Sequence, residues 1–550
     1  MRNLQKKWRN IMNITIHPST SNATPEVVHA LSAIKTAGGG ELHFETGEYH
    51  FYKEGTKNEF FAISNNSANV KTMVFPITDM ENITVDGHGS VFVFHEVVFP
   101  FMVSQSKNVT LRNMTLDLGM SPVVFFTLHD ITEDGFYMDI DREASPFFVE
   151  DGSIFFERES GMWNGAKNII SLHAIGRHQV QYLATGDCCL KKLENLPARL
   201  MKCDVTETPD GIYVKYRPDT PSRCIYGEEM LSAIIDGGRR VDVICLDRSE
   251  NIAITNVTVA RGIGMGIIGQ LSRNILIDGF STNTERRKNG HQSLTADALH
   301  FVNCDDKLEI RNCTISDTLD DAINVHGMYT SLEKAEEDTI YAAIMHGEQH
   351  YFNPYREGDR LVLIDPQNYE IKSEFIVASA TIDTERGDKI LLKGIFSYGY
   401  KEVRPGFLIE NPDRMPDLHL HHNRFDTFPH NRISGAGEIL IEDNIFSNCH
   451  AALLCFDLAK YWYESGRVKH LIYRNNILDN CDIIGNGAFL QIGIPGIPED
   501  LTPKVHGRIE ITGNHFSRIA RLAVRACGVQ DLILENNVFD TENEDIIVSW

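Results

Sequence analysis

A chain of 550 residues exceeds what one ordinary compact core organises, so it should be either several domains or a repeat that grows along one axis. Hydrophobic residues at 42% and charged residues at 23% are those of a folded globular chain and exclude disordered, collagen-like and coiled-coil classes. A net charge of −24 argues against nucleic acid, anionic membranes and polyanions as partners, which need a basic footprint; the runs Lys6-Lys7 and Arg286-Arg287-Lys288 read as solvated turns.

The N-terminal MRNLQKKWRNIMNITIHPS is basic but feeds no apolar run, so it does not read as a signal peptide. No stretch reaches the roughly 18 to 20 apolar residues that span a bilayer. The expectation is a cytoplasmic protein, or a periplasmic or secreted one if a leader precedes this chain. Thr24 reads as a helix N-cap with Pro25 at the first position, and Val27, Val28, Leu31 and Ile34 share a face. The turn Gly38-Gly39-Gly40 and the strand Glu41-Leu42-His43-Phe44 follow, as a capping helix feeding a first solenoid coil would require.

From there a repeat organises the chain. A short apolar strand is followed by Asn or Asp, any residue, then Phe, Thr or an aliphatic, at Asn113, Asn256, Asp278, Asn312, Asn423, Asn444, Asn476, Asn514 and Asn537. Several intervals are a little above twenty residues (256 to 278, 423 to 444, 514 to 537), which is one coil of a right-handed parallel β-helix. At a tight turn Asn tolerates left-handed backbone angles, and its amide can bond the same amide one coil away. The reading is therefore one column of asparagines doing both.

Two intervals are too long for a coil and carry strand-like runs, Pro122-Val123-Val124-Phe125-Phe126 in one and Arg360-Leu361-Val362-Leu363-Ile364 in the other. They read as two inserted, barrel-like β modules. The expected division is 1–118 for the cap and first coils, 119–248 for the first module, 249–330 for the middle coils, 331–412 for the second module and 413–550 for the last coils. Eleven cysteines without metal-type or regular spacing read as reduced thiols.

The chemistry lies between the insertions. Thr295-Ala296-Asp297-Ala298-Leu299-His300-Phe301 opens a strand with an acid, and one coil later stands Asp320-Asp321 in DTLDDAINVHG. Asp297 and Asp320 are 23 residues apart, so they are expected to stack on one face of neighbouring coils. Three converging carboxylates repel and push their proton affinities apart, as glycoside hydrolysis requires of an acid that protonates a leaving oxygen and a base that activates water. A Ca²⁺ site or a plain polar turn are the other readings, and Asp305-Asp306 reads as such a turn.

An Asp on one coil, Asp-Asp on the next and then His-Gly resembles the polygalacturonase layout, but no Arg-x-Lys motif follows His326-Gly327. Over nearly its whole length the chain looks closer to glycoside hydrolase family 110, through GGGELHF, TADALHF, DTLDDAINVHG, AALLCFDLAKYWYESG and the two insertions. That resemblance implies an inverting α-1,3-galactosidase without cofactor or metal. Its partner would be a glycan ending in α-galactose, of blood-group-B or linear type. By the resemblance Asp320 is the general acid, and Asp297 with Asp321 holds and deprotonates water.

Around the triplet, His326 reads as a ligand of a sugar hydroxyl, as a support for Asp320, or as a plain turn histidine. Trp462 and Glu464 offer a ring for the apolar face of galactose and a carboxylate for its hydroxyls, or a packed tryptophan under a loop. Arg432 and His291 are further candidate hydroxyl ligands, and Trp163 in the first module a candidate cover. Competing functions are another β-helix hydrolase or lyase, or a non-catalytic carbohydrate-binding β-helix. The sequence leaves the oligomeric state open.

Overall fold

The computed structural model describes residues 12–549 apart from 120–122, 131, 133, 144–145, 151, 157–163, 166–169, 175–179, 186–201, 217–229, 235–240, 283–285, 287–292, 428–429, 457–460, 483–486, 494–502 and 544. Two 13-stranded sheets run the length of a parallel β-helix, a 6-stranded sheet joins them from Thr314–Ser316 to Val538–Phe539, and two closed barrels branch from it. Successive coils pair in parallel, residue over residue. One inward column reads Ile83, Val109, Ile252, Ile275, Leu308, Leu418, Ile439, Leu471, Ile509 and Leu532. Alternation of apolar and polar residues fills this column, because side chains along a strand alternate between core and outer face.

The helix Thr24–Ala37 packs Val27, Ala30, Leu31 and Ile34 onto the first coils and ends at Gly38, whose left-handed φ of 83° suits glycine. Its start differs from the sequence expectation. Thr24 is the first helical residue and not the cap; its N–H is taken by the Asn22 side chain at 3.0 Å, and its hydroxyl donates to the Tyr52 carbonyl at 2.9 Å. Pinning the helix to the chain just past the strand Glu48–Phe51 takes the hydroxyl away from capping.

The asparagine column also resolves differently. Arg311 pairs with His421 and Thr314 with Arg424, so Asn312 faces His422, and Cys313 faces Asn423. In the first half one column does both jobs, Asn256 Nδ2 donating to Asn113 Oδ1 at 3.3 Å with both residues left-handed, but in the second half two adjacent columns share the work. Asn113, Asn256, Gly279, Asn312, His422, Asp443, Asn475, Gly513 and Asn536 take left-handed φ of 52° to 72° and turn the corner. In the second half, the next residue inward forms the ladder. Asn423, Asn444, Asn476 and Asn514 are buried, and each side-chain amide donates to the following one at 2.9 to 3.1 Å, ending on Asn537. Each also donates to a backbone carbonyl one coil back, at Ile310, Leu420, Ile441 and Tyr473. Separating the jobs is physically sensible: the residue with a strained backbone angle points outward, and the one with ordinary angles points in.

The barrels leave coil stacking unbroken. Lys107 pairs with Glu250 across the first, and Lys307 with Asp417 across the second. The first barrel closes strands from Val123–His129 to Met230–Ile234, and the second closes strands from Thr330–Glu336 to Leu408–Glu410. The second packs a hydrophobic core of its own against Val302 and Met328 on the outer face of the coils. Asp305, expected in an exposed polar turn, instead begins the strand Asp305–Arg311 and accepts from Arg356 at 3.0 Å and Arg414 at 3.2 Å, tying that barrel to the helix. Seven described cysteines are free and buried, behaving as small apolar side chains. Among the described residues no helix is long and apolar enough to cross a membrane.

Candidate active site

The strands Leu299–Val302, Ile323–Met328 and His430–Ile433 lie side by side in the second long sheet. Leu299, Phe301, Ile323, Val325 and Ile433 point into the β-helix core. Alternation therefore sends His300, Asn324 and Arg432 to the outer face, and the register sets them in one row. Just before these strands come the three aspartates. Leu299 pairs with Ile323, and the Ala298 N–H donates to the Asp321 carbonyl at 2.9 Å. The step is thus 24 residues, which puts Asp321 over Asp297 and leaves Asp320 one residue earlier, a correction to the 23-residue stacking of Asp297 with Asp320. Asp297 and Asp321 are buried; Asp320 is half-buried and its Oδ1 accepts the Asp321 N–H at 3.1 Å.

Arg432 is the charge at the centre. Burial opposes its cationic form, but Glu464 and then Asp321, Asp297 and Asp320 more than offset that, and its proton affinity is raised. Its Nη1 donates to Glu464 Oε2 at 2.9 Å, and its Nε stands 3.8 Å from Asp321 Oδ2. Glu464 arrives from the segment after the strand Ala451–Phe456, which folds back so that Glu464–Ser465 pairs antiparallel with Gly327–Met328. Asn65 and Asn324 donate to Glu464 Oε1 at 3.3 and 3.4 Å. Burial alone would raise the Glu464 carboxyl; the His326 and Arg432 side chains outweigh it and hold the group at about 2. His326 is pressed down to about 4, first by burial, so at neutral pH it is uncharged and Arg432 is the cation that keeps Glu464 ionised.

Three histidines complete the shell. His300 Nδ1 lies 2.6 Å from Asp297 Oδ2, and its Nε2 lies 3.0 Å from His326 Nε2. His430 addresses Asp321 Oδ1 twice, through its backbone N–H at 3.2 Å and its ring Nδ1 at 3.1 Å. His326 therefore sits on His300 and beside Glu464, 3.6 Å away, and not in a solvated turn. Trp462 is half-buried against His346 of the second barrel, with ring centroids 4.2 Å apart, while its carbonyl accepts from Gln349. His291 and Trp163 lie outside the described residues. Among the described residues, the one group of three that could hold a metal is His43, Asp86 and His88 on early coils; Arg112 donates to Asp86 Oδ2 at 2.6 Å, placing a positive charge where an ion would have to sit.

His300, His430, Asn324 and Asn65 were not singled out from the sequence. For His300 a signal existed: it is the outward residue of its strand, three after Asp297, on a face that strand alternation alone would leave polar. Asn65 carried none, since it lies 399 residues from Glu464.

With this geometry in hand, similarity to known proteins adds the family. The α-1,3-galactosidase A of Shewanella woodyi is 25% identical over 525 residues, covering 93% of this chain and 82% of that one. The α-1,3-galactosidase B of Phocaeicola vulgatus is 28% identical over 561 residues, covering 96% and 89%. This chain is a homologue of the family 110 glycoside hydrolases. No protein-family model matches it. Among solved structures, the exopolygalacturonase of Thermotoga maritima spans all of this glycoside hydrolase and 95% of its own chain at 10% identity and a TM-score of 0.37, an overlap that adds nothing to what the coils themselves show.

Proposed function

We propose that this glycoside hydrolase is an exo-acting, inverting α-galactosidase that releases terminal α-1,3-linked galactose from glycans of blood-group-B or linear type. The observation that carries the reading is three carboxylates on two adjoining coils, gathered around one buried arginine. The α-1,3-galactosidase names of its relatives supply the substrate class. Asp320, the most accessible of the three, gives its proton to the glycosidic oxygen as the C1–O bond breaks. A water held by Asp297 and Asp321 attacks C1 from the opposite face, its proton passes to a carboxylate, and the sugar leaves with inverted anomeric configuration. Arg432 and Glu464 bind hydroxyls of the galactose and Trp462 takes its apolar face, while His326, whose two ring nitrogens are engaged by Gly327 and His300, supports the site from behind. The fold-back of Glu464–Ser465 over the row, with the second barrel beside it, supports a closed pocket for a terminal sugar over an open groove.

Hydrolysis of a chromogenic α-galactoside and of an α-1,3-linked digalactoside by the whole chain tests this, with the first-formed anomer read by proton NMR. Release of β-galactose is expected. Retained α-galactose would overturn the inverting mechanism, an unsaturated product absorbing in the ultraviolet would mean a lyase, and binding without turnover would mean a carbohydrate-binding module.

A further inference from the structure

The rings of His300 and His326 stand edge to face on adjacent coils, centroids 4.9 Å apart at 87°, each about 1% exposed. Their hydrogen-bond roles follow from the far end of the chain. The Gly327 carbonyl, 2.6 Å from His326 Nδ1, can only accept, so the proton of His326 is on Nδ1. His326 is neutral, so its Nε2 offers a lone pair. His300 Nε2, 3.0 Å away, must then donate. On the other edge of the same ring, His300 Nδ1 and Asp297 Oδ2 are 2.6 Å apart. Two lone pairs at that distance would repel, so a proton lies between them, whether nearer nitrogen or oxygen. The pair is net neutral in either form. From His300 the donors run to His326 and stop at the Gly327 carbonyl, which takes up no proton. The chain can hold a proton but cannot conduct one away.

The geometry assigns His300 as the positioning residue of Asp297: it engages Oδ2 and fixes the carboxylate's rotamer, while His326 locks the tautomer in which His300 can do this. The assignment rests on the reading of Asp297 as part of the water-activating pair. The charged and titratable groups facing this pair are Asp320, Asp321 with His430, Arg432 with Glu464, and His326. Removing the His300 donor leaves a buried carboxylate short of a partner, so its pKa rises. A base must be ionised to act, so the acid limb of the kcat/KM profile moves to higher pH.

His300→Ala is expected to lower kcat at least about tenfold with KM within about twofold, and to shift the acid limb upward by about one pH unit. His300→Asn, whose amide nitrogen sits close to the Nδ1 position, should restore most of the kcat and return the limb towards wild type. An unmoved limb in His300→Ala, or loss that Asn does not rescue, overturns the assignment. A second readout needs no turnover. In ¹⁵N-histidine spectra of the whole chain, His326 should carry its proton on Nδ1 and His300 should carry one on Nε2; the opposite tautomer of His326 overturns the proposed order. A wild type that cleaves no α-galactoside would defeat the functional reading instead, and the spectra would still decide the hydrogen-bond chain.

Discussion

Two sets of buried polar groups occupy the same β-helix, and they obey opposite rules. Inside the coils the ladder from Asn423 to Asn537 repeats one neutral group, each amide satisfied by the next and by a backbone carbonyl. On the outer face the row of His300, Asn324 and Arg432 never repeats, and it gathers Asp297, Asp320, Asp321, Glu464, His326 and His430 around one cation. Neutral amides in register need no counter-charge and can be copied along the axis. A charged cluster can be balanced in only one place, where a particular loop and barrel close over it, because an unpaired buried charge is costly. Where this protein abandons the repeat, it builds its candidate chemistry.

That contrast can be broken from either side. The largest effect is expected for Asp320→Asn, which should cut turnover by about 10²- to 10⁴-fold while leaving the melting temperature within a degree or two, since the half-buried side chain carries little packing. Near-normal turnover would remove Asp320 from the role of acid. Next comes Arg432→Met, which leaves Glu464 buried without its cation and should cost about 3 to 5 kcal/mol of unfolding free energy; adding Glu464→Gln should recover part of that. A double variant no better than the single one would mean that the pair is not coupled.

The third test is pH. The buried His326 and His506 and the half-buried His450 are each held at about 4, first by burial, so the unfolded chain takes up protons before the folded one does. Stability should therefore fall as pH drops from about 6.5 to 4. The Glu464 carboxyl, held at about 2, adds a second loss as pH drops from about 4.5 to 2, and Glu464→Gln should flatten that lower segment of a denaturant-midpoint curve. A flat profile between pH 6.5 and 4 would mean the histidines are solvated. The smallest effect is expected from the ladder. Asn476→Ala strands the neighbouring amides and should cost about 1 to 3 kcal/mol by equilibrium unfolding, with specific activity of the folded protein unchanged. A loss of activity at full stability would mean that the interior column reaches the site.

The sequence alone determined that the chain coils. Corner residues that tolerate left-handed angles, recurring a little above every twenty positions between apolar strands, permit little else, because inward columns must be refilled at each coil. It also marked Asp297, Asp320 and Asp321 as neighbours, since one coil is one step along the axis. Only the tertiary structure decided the step of 24 that sets Asp321 over Asp297, because coil length varies and a single residue changes which side chain stacks. It alone divided corner from ladder, moved Thr24 off its cap, and brought Asn65 and Glu464 to Asn324 and Arg432. Those contacts join residues hundreds of positions apart, and no local spacing encodes a partner that a fold-back loop and an inserted barrel deliver.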